Sequence, residues 1–136
     1  MIVYIDENMP SQLANGLMIL QEPINLKLLE PIKIISIKNK FGQGIQDEDW
    51  IPIAGNEGAC VITQDYNIKR TKHQYALCQQ YGLGIFFLKP PSKKGLSYWE
   101  MVVMVINHWQ SIIDTIINSQ RPFAFKLTKR GRLEKM

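Results

Sequence analysis

The chain has 136 residues, of which 46% are hydrophobic and 21% charged, a balance that excludes a disordered or fibrous protein. A chain of this length can bury roughly two-thirds of the surface its unfolded form exposes, so residues 1–136 are expected to form a single domain, with a basic tail from about residue 128. No basic leader precedes the first apolar run, and the longest later run, residues 101–106, is too short for a bilayer; a cytoplasmic chain with no membrane partner is expected.

The net charge of +4 hides an asymmetry. Through Asp65 there are nine acidic residues against four basic ones, a balance of −5; beyond it there are three against twelve, a balance of +9. A basic half attracts polyanions, whereas clustered acids repel them unless a cation intervenes. Cys60 and Cys78 have no CxxC spacing and suit a reducing compartment, so neither a disulfide nor thiol chemistry is expected.

In chain order, Ile2, Val3, Tyr4 and Ile5 form a short β-branched and aromatic run typical of a strand covered on both faces, and it ends in Asp6 and Glu7. Pro10 and Ser11 open a helix over residues 12–21, and the proline-flanked segment 22–31 reads as a loop or short turn. Residues 33–38 (KIISIK) are expected to be the second strand, parallel to the first through a right-handed crossover. A loop with Gly42 and Gly44 leads to Asp47, Glu48 and Asp49 at the start of a helix reaching about Asn56. Acids in a first turn also complement the helix dipole, but this loop leaves the same sheet edge that carries Asp6. The run 59–63 (ACVIT) is a third buried strand, followed at once by Gln64 and Asp65.

The remaining elements are a helix through Tyr81 starting in the basic stretch 68–73, and a fourth strand at 85–88. A basic loop at 92–95 follows, then a long helix from Ser97 or Tyr98 to about Asn118, in which His108 is expected to be packed or at the surface rather than ligating. A final strand at 123–127 alternates apolar residues with Lys126, as expected of a sheet edge. Ligands of open α/β sheets bind outside the carboxyl ends of the strands, and here three acid clusters fall at that edge. Gathered carboxylates need a counter-ion, and an all-oxygen donor set selects Mg²⁺ or Mn²⁺. Next to a basic half able to hold a phosphate backbone, such a site points to a metal-dependent nuclease.

The strand ending in DEN, the glycine loop leading to DEDW and the strand ending in TQD resemble the PIN-like ribonuclease domains, particularly the compact branch of VapC-type toxins. The likeness continues through IKRTKHQYA, GIFFLKP and RPFAFKLTKRGRLE. It implies a three-layer α/β/α sandwich with a central, mostly parallel sheet. It also implies Mg²⁺- or Mn²⁺-dependent endonucleolytic cleavage of RNA by metal-activated water, and a protein antitoxin as partner. Carried over by position, Asp6, Asp47 and Asp65 hold the metal, while Glu7, Glu48, Asp49, Thr63 and Asn67 support it. A fourth acid found in many members has no match after Asp65, which suggests one tight metal and a second arriving with RNA. Lys69, Arg70, Lys72 and His73 flank the site as phosphate contacts, and Lys126, Lys129, Arg130 and Arg132 extend the basic track or meet an acidic partner.

Two alternatives stand beside this. Receiver domains also place an acid pair after the first strand and an Asp after the third, and a Lys-Pro pair resembles Lys89 and Pro90, though here it follows the fourth strand. A PIN-like module that binds RNA or protein without cleaving is the other. Whether the apolar stripe of the long helix, core packing first, also leaves a surface for a homodimer is a question the sequence leaves open.

Overall fold

A computed structural model describes residues 1–64, 67–129 and 131–136. The strands are β1 (Ile2–Ile5), β2 (Lys33–Ser36), β3 (Cys60–Gln64), β4 (Gly84–Leu88), β5 (Ala124–Leu127) and β6 (Leu133–Lys135). The helices are α1 (Ser11–Asn25), α2 (Ile37–Phe41), α3 (Asp47–Asn56), α4 (Ile68–Tyr81) and α5 (Tyr98–Asn118). One sheet in the order β2-β1-β3-β4-β5-β6 joins all six strands, parallel throughout except for the β5–β6 pair. Helices cover both faces, giving the expected α/β/α sandwich.

Strand alternation decides what each face buries. Val3, Ile5, Cys60, Ile62, Phe86 and Leu88 point to one side and pack with α1 and α5 through Leu13, Leu17, Val105, Ile112 and Ile116. Tyr4, Val61, Ile85 and Phe87 point to the other, against Trp50, Ile51 and Ala54 of α3 and Cys78 of α4. Continuing the alternation past the core places Asp6, after Ile5, and Thr63, after Ile62, on the α3/α4 side. Both are buried. This parity brings the strand-end acid to the helices that carry the next ones.

The structure corrects three sequence expectations. Helix α1 runs on to Asn25 with Pro23 in its last turns, and the segment after it is tied down by side chains. Asn25 donates from Nδ2 to the Ile32 carbonyl and accepts the Ile32 N–H at Oδ1, each at 2.9 Å. Strand β2 stops at Ser36, whose hydroxyl accepts the Asn39 N–H and starts α2 where KIISIK suggested more strand. Strand β5 is not the edge: the tail returns as antiparallel β6, setting Glu134 opposite Lys126, an opposite-charge pairing that favours this register. The capping box of Ser97 and Glu100 fixes the start of α5 where expected.

Both cysteines are buried free thiols, Cys60 in β3 as its place in a core strand led one to expect. Burial pushes Cys60 up to about 11 and raises Cys78 further, so neither is a thiolate near neutral pH. His108 is buried in α5, its Nδ1 hydrogen-bonded to the Met104 carbonyl. No described helix is long and apolar enough to cross a membrane.

Candidate metal and RNA site

Asp6 begins the site because the backbone turns there. Its N–H still donates to Ile62 in β3, while its carbonyl accepts from Met9 as the chain curls toward α1. The side chain is 1% exposed and fully engaged. Oδ1 accepts the Glu7 N–H at 2.8 Å; Oδ2 accepts from Thr63 Oγ1 at 2.6 Å, a guanidinium nitrogen of Arg70 at 3.1 Å and Gln74 Nε2 at 3.3 Å. Arg70 and Gln74 are four apart on α4, which puts them on one face of the helix. A buried carboxylate holds its charge only with such donors.

Asp47 enters from the opposite wall, as the first residue of α3. Its Oδ1 accepts the Trp50 indole N–H at 3.0 Å and lies 3.5 Å from the second terminal nitrogen of Arg70. One guanidinium therefore bridges Asp6 and Asp47. Burial pushes the Asp47 carboxyl above its ordinary value, against the opposing pull of Arg70 and Trp50, and the charges of Asp6 and Glu48 add to the rise.

The surrounding residues shape the cleft. Glu7 Oε1 accepts the Gly44 N–H at 2.9 Å, so the glycine loop before α3 is held by the residue next to Asp6. Gly44 sits at φ +84°, a conformation that favours glycine. Asn8 donates to the Gln64 carbonyl at 3.2 Å and joins the ends of β1 and β3. A hollow of about 340 Å³ is lined by Glu7, Asn8, Gly44, Ile45, Gln46, Asp47 and Arg70. A neighbouring one of about 400 Å³ shares Gln46, Asp47 and Arg70 and adds Glu48, Asn67, Lys69 and His73.

The expected residues divide accordingly. Asp6, Asp47, Glu7, Thr63, Arg70 and Lys69 meet at the cleft. Asn67 is the N-cap of α4, its Oδ1 accepting the Arg70 N–H at 3.1 Å. Glu48 pairs with His73, and its carboxyl is lowered by its own backbone N–H and that contact. Asp49 is an exposed first-turn residue of α3. Lys72 lies toward Thr71, Tyr75 and Met136, and Lys126 and Lys129 stand apart, the first opposite Glu134 and the second beside Glu100. Asp65 and Arg130 lie outside the described residues, and Arg132 is exposed on the turn before β6.

Sequence reasoning missed Asn8, Gln46 and Gln74, and passed over Lys93 and Lys94. The two lysines, with Gly95, share a hollow with Asn8 and Gln64. The spacing of Gln74 from Arg70 was the available signal for the glutamine.

The donor chemistry suits a hard divalent cation. Asp6 and Asp47 face one position that a cation already takes, and the nearby side chains offer oxygen rather than sulfur. Among the described residues no group of three or more His, Cys, Asp or Glu is arranged to hold a metal. The candidate holders are thus Asp6 and Asp47, on condition that Arg70 gives way.

An α/β/α domain with paired acids at the carboxyl edge of a parallel sheet has a nuclease-type architecture. A family model described as a PIN-like domain matches residues 1–90, and the chain belongs to that family. PIN-like domains are commonly nucleases, and the nucleases among them bind RNA and generally use divalent metals. Neither the comparison with curated proteins nor that with solved structures gave a match. Membership of this family sets the receiver expectation aside, although the order β2-β1-β3-β4-β5 is also that of flavodoxin-like sheets.

Proposed function

We propose that the chain is a Mg²⁺- or Mn²⁺-dependent endoribonuclease that hydrolyses RNA phosphodiester bonds, and the toxin of a toxin–antitoxin pair in the VapC-type branch. The observation that carries the nuclease reading is the convergence of Asp6 and Asp47, from separate elements, on one cation-accepting position at the carboxyl edge. When bound there, the metal would activate water and offset the charge that develops on the phosphate.

The chain's own residues supply orientation and substrate contact. Thr63, Gln74 and the Glu7 N–H fix both oxygens of Asp6. Trp50 fixes one oxygen of Asp47. Lys69 and Arg70, and Lys93 and Lys94 in the hollow they share with Asn8, would hold successive phosphates. Asp65, following β3, is proposed as the third acid on sequence position alone. The toxin assignment rests on the resemblance of the sequence to that branch; an antitoxin would act by covering this cleft.

The test is cleavage of a mixed set of structured RNAs by the native chain and by Asp6→Asn, each with Mn²⁺ and with EDTA. The amide keeps the shape of the carboxylate and removes its charge. Cleavage by the native chain that disappears with EDTA and with Asp6→Asn is expected. Cleavage that persists in both would refute the metal assignment, and its complete absence from a folded, Mn²⁺-binding native chain would favour the PIN-like module that binds without cutting.

A further inference from the structure

Arg70 fills the space between the two acids. Its terminal nitrogens lie 3.1 Å from Asp6 Oδ2 and 3.5 Å from Asp47 Oδ1. A divalent ion held by those oxygens would bring two positive charges against a third at contact distance, where repulsion is strong. Guanidinium and metal therefore exclude each other. We infer that Arg70 is the resident cation of the cleft and that a divalent ion binds by displacing it, the released guanidinium passing to an RNA phosphate. The inference rests on the proposed nuclease function and adds to it a coupling between metal and RNA.

Three features make the exchange feasible. When Arg70 leaves, Asp6 keeps the neutral donors Thr63, Gln74 and the Glu7 N–H, so its carboxylate stays in place for the metal. The Arg70 side chain is 31% exposed, in contrast to 1% for Asp6, and it lines both hollows. An outward rotation takes the guanidinium from the acid cleft into the hollow of Lys69 and His73, where a polyanion backbone would lie. Arg70 is also in the first turn of α4, fixed at its N–H by Asn67, so the side chain can move while the helix start does not.

Metal and RNA must then bind cooperatively. RNA phosphate draws Arg70 off the acids and strengthens metal binding, and metal in turn frees Arg70 for RNA; linkage makes the two effects equal. Without RNA, the native chain holds metal weakly because each ion has to expel an internal charge.

The experiment is calorimetric titration of Mn²⁺ into the full native chain, Arg70→Gln and Arg70→Lys, with and without a short 2′-O-methyl oligoribonucleotide whose integrity is checked after each titration. Arg70→Gln is expected to bind Mn²⁺ about tenfold more tightly than the native chain, within the range usual for coupled sites. The oligonucleotide should tighten Mn²⁺ binding to the native chain by a similar factor and leave Arg70→Gln nearly unchanged. Arg70→Lys, whose single ammonium cannot bridge both acids, should fall between. Equal Mn²⁺ affinity in native and Arg70→Gln chains would overturn the exchange while leaving the metal reading intact. Absence of Mn²⁺ binding from all three would overturn both. If Arg70→Gln did not fold, the effect of the oligonucleotide on the native chain would still decide, an unchanged affinity refuting the coupling.

Discussion

Replacing Gly55 by alanine should weaken the fold, although the same replacement in an open helix strengthens it. Gly55 lies in α3 where that helix meets the end of α4, and a Cβ built there falls 2.2 Å from the Tyr81 carbonyl oxygen and 3.1 Å from its carbonyl carbon and Cβ. Ordinary contact begins near 3.4 Å, so the helices must part by roughly 1 Å. Overpacking of this kind costs about 1–3 kcal/mol, and the obstructing atom is backbone at a helix end closed by Gly82 in the left-handed conformation, which cannot rotate aside. Alanine's advantage over glycine in a helix returns only about 1 kcal/mol. With a backbone atom in the way the clash should prevail, by up to about 2 kcal/mol. Gly16 is the control: it is exposed in α1, nothing lies within 4 Å of its Cβ position, and Gly16→Ala should stabilise by about 0.5–1 kcal/mol. Urea unfolding followed by tryptophan fluorescence reads both signs. A Gly55→Ala midpoint equal to or above the native one would refute the argument from close helix approach.

Other consequences can be measured with the same chain. Thr63→Val removes the 2.6 Å donor from a buried carboxylate and should cost about 1.5–3 kcal/mol in urea unfolding; a loss below 0.5 kcal/mol would mean that the remaining donors suffice. Tyr4 OH joins Glu57 at 2.6 Å and Lys40 at 2.7 Å, and its pKa is raised, chiefly by burial, above 10.0. A raised folded-state value contributes stability that is present below the unfolded value and lost as pH climbs through the folded one. The Lys40 shift, raised mainly by its bond to Tyr4, acts in the same direction. Stability should therefore fall above about pH 10, and Tyr4→Phe should flatten that fall; an unchanged profile counts against the assignment. Changing Lys93 and Lys94 together to glutamine in the Asp6→Asn background should reduce the salt dependence of single-stranded RNA binding by a slope of about 1.4, whereas no change would remove these lysines from the RNA path.

The parts of the fold that follow from local pattern were legible in the sequence. Short apolar runs gave β1, β3 and β4, and Asp47 at the head of α3 was placed by its acids and the glycines before them. Where a local pattern has two outcomes, the chain alone did not decide. KIISIK has strand composition throughout, yet the Ser36 hydroxyl offers the backbone a helix start that ends the strand early. The tail looked merely basic because a three-residue strand has no periodicity of its own; it exists because β5 presents a ladder to it. Arg70 was visible as a cation near the acids, but whether it faced solvent or Asp6 depended on how closely α4 approaches β1, which is a tertiary fact. Gln74 was overlooked for the same reason.

The parity of the strands has a consequence for insertions and deletions. Asp6 reaches α3 and α4 because it stands two positions, an even step, beyond Tyr4, and Thr63 because it stands two positions beyond Val61. Removing one residue within β1 or β3 would turn the following side chains to the α1/α5 side, leaving a charge among aliphatic side chains and Arg70 without Asp6. The segment between α2 and α3 obeys no such count, since its exposed glycines only need to deliver Asp47 to the mouth of the cleft. Length variation in this architecture should therefore collect in that loop, and the strands that end in the site should keep their length.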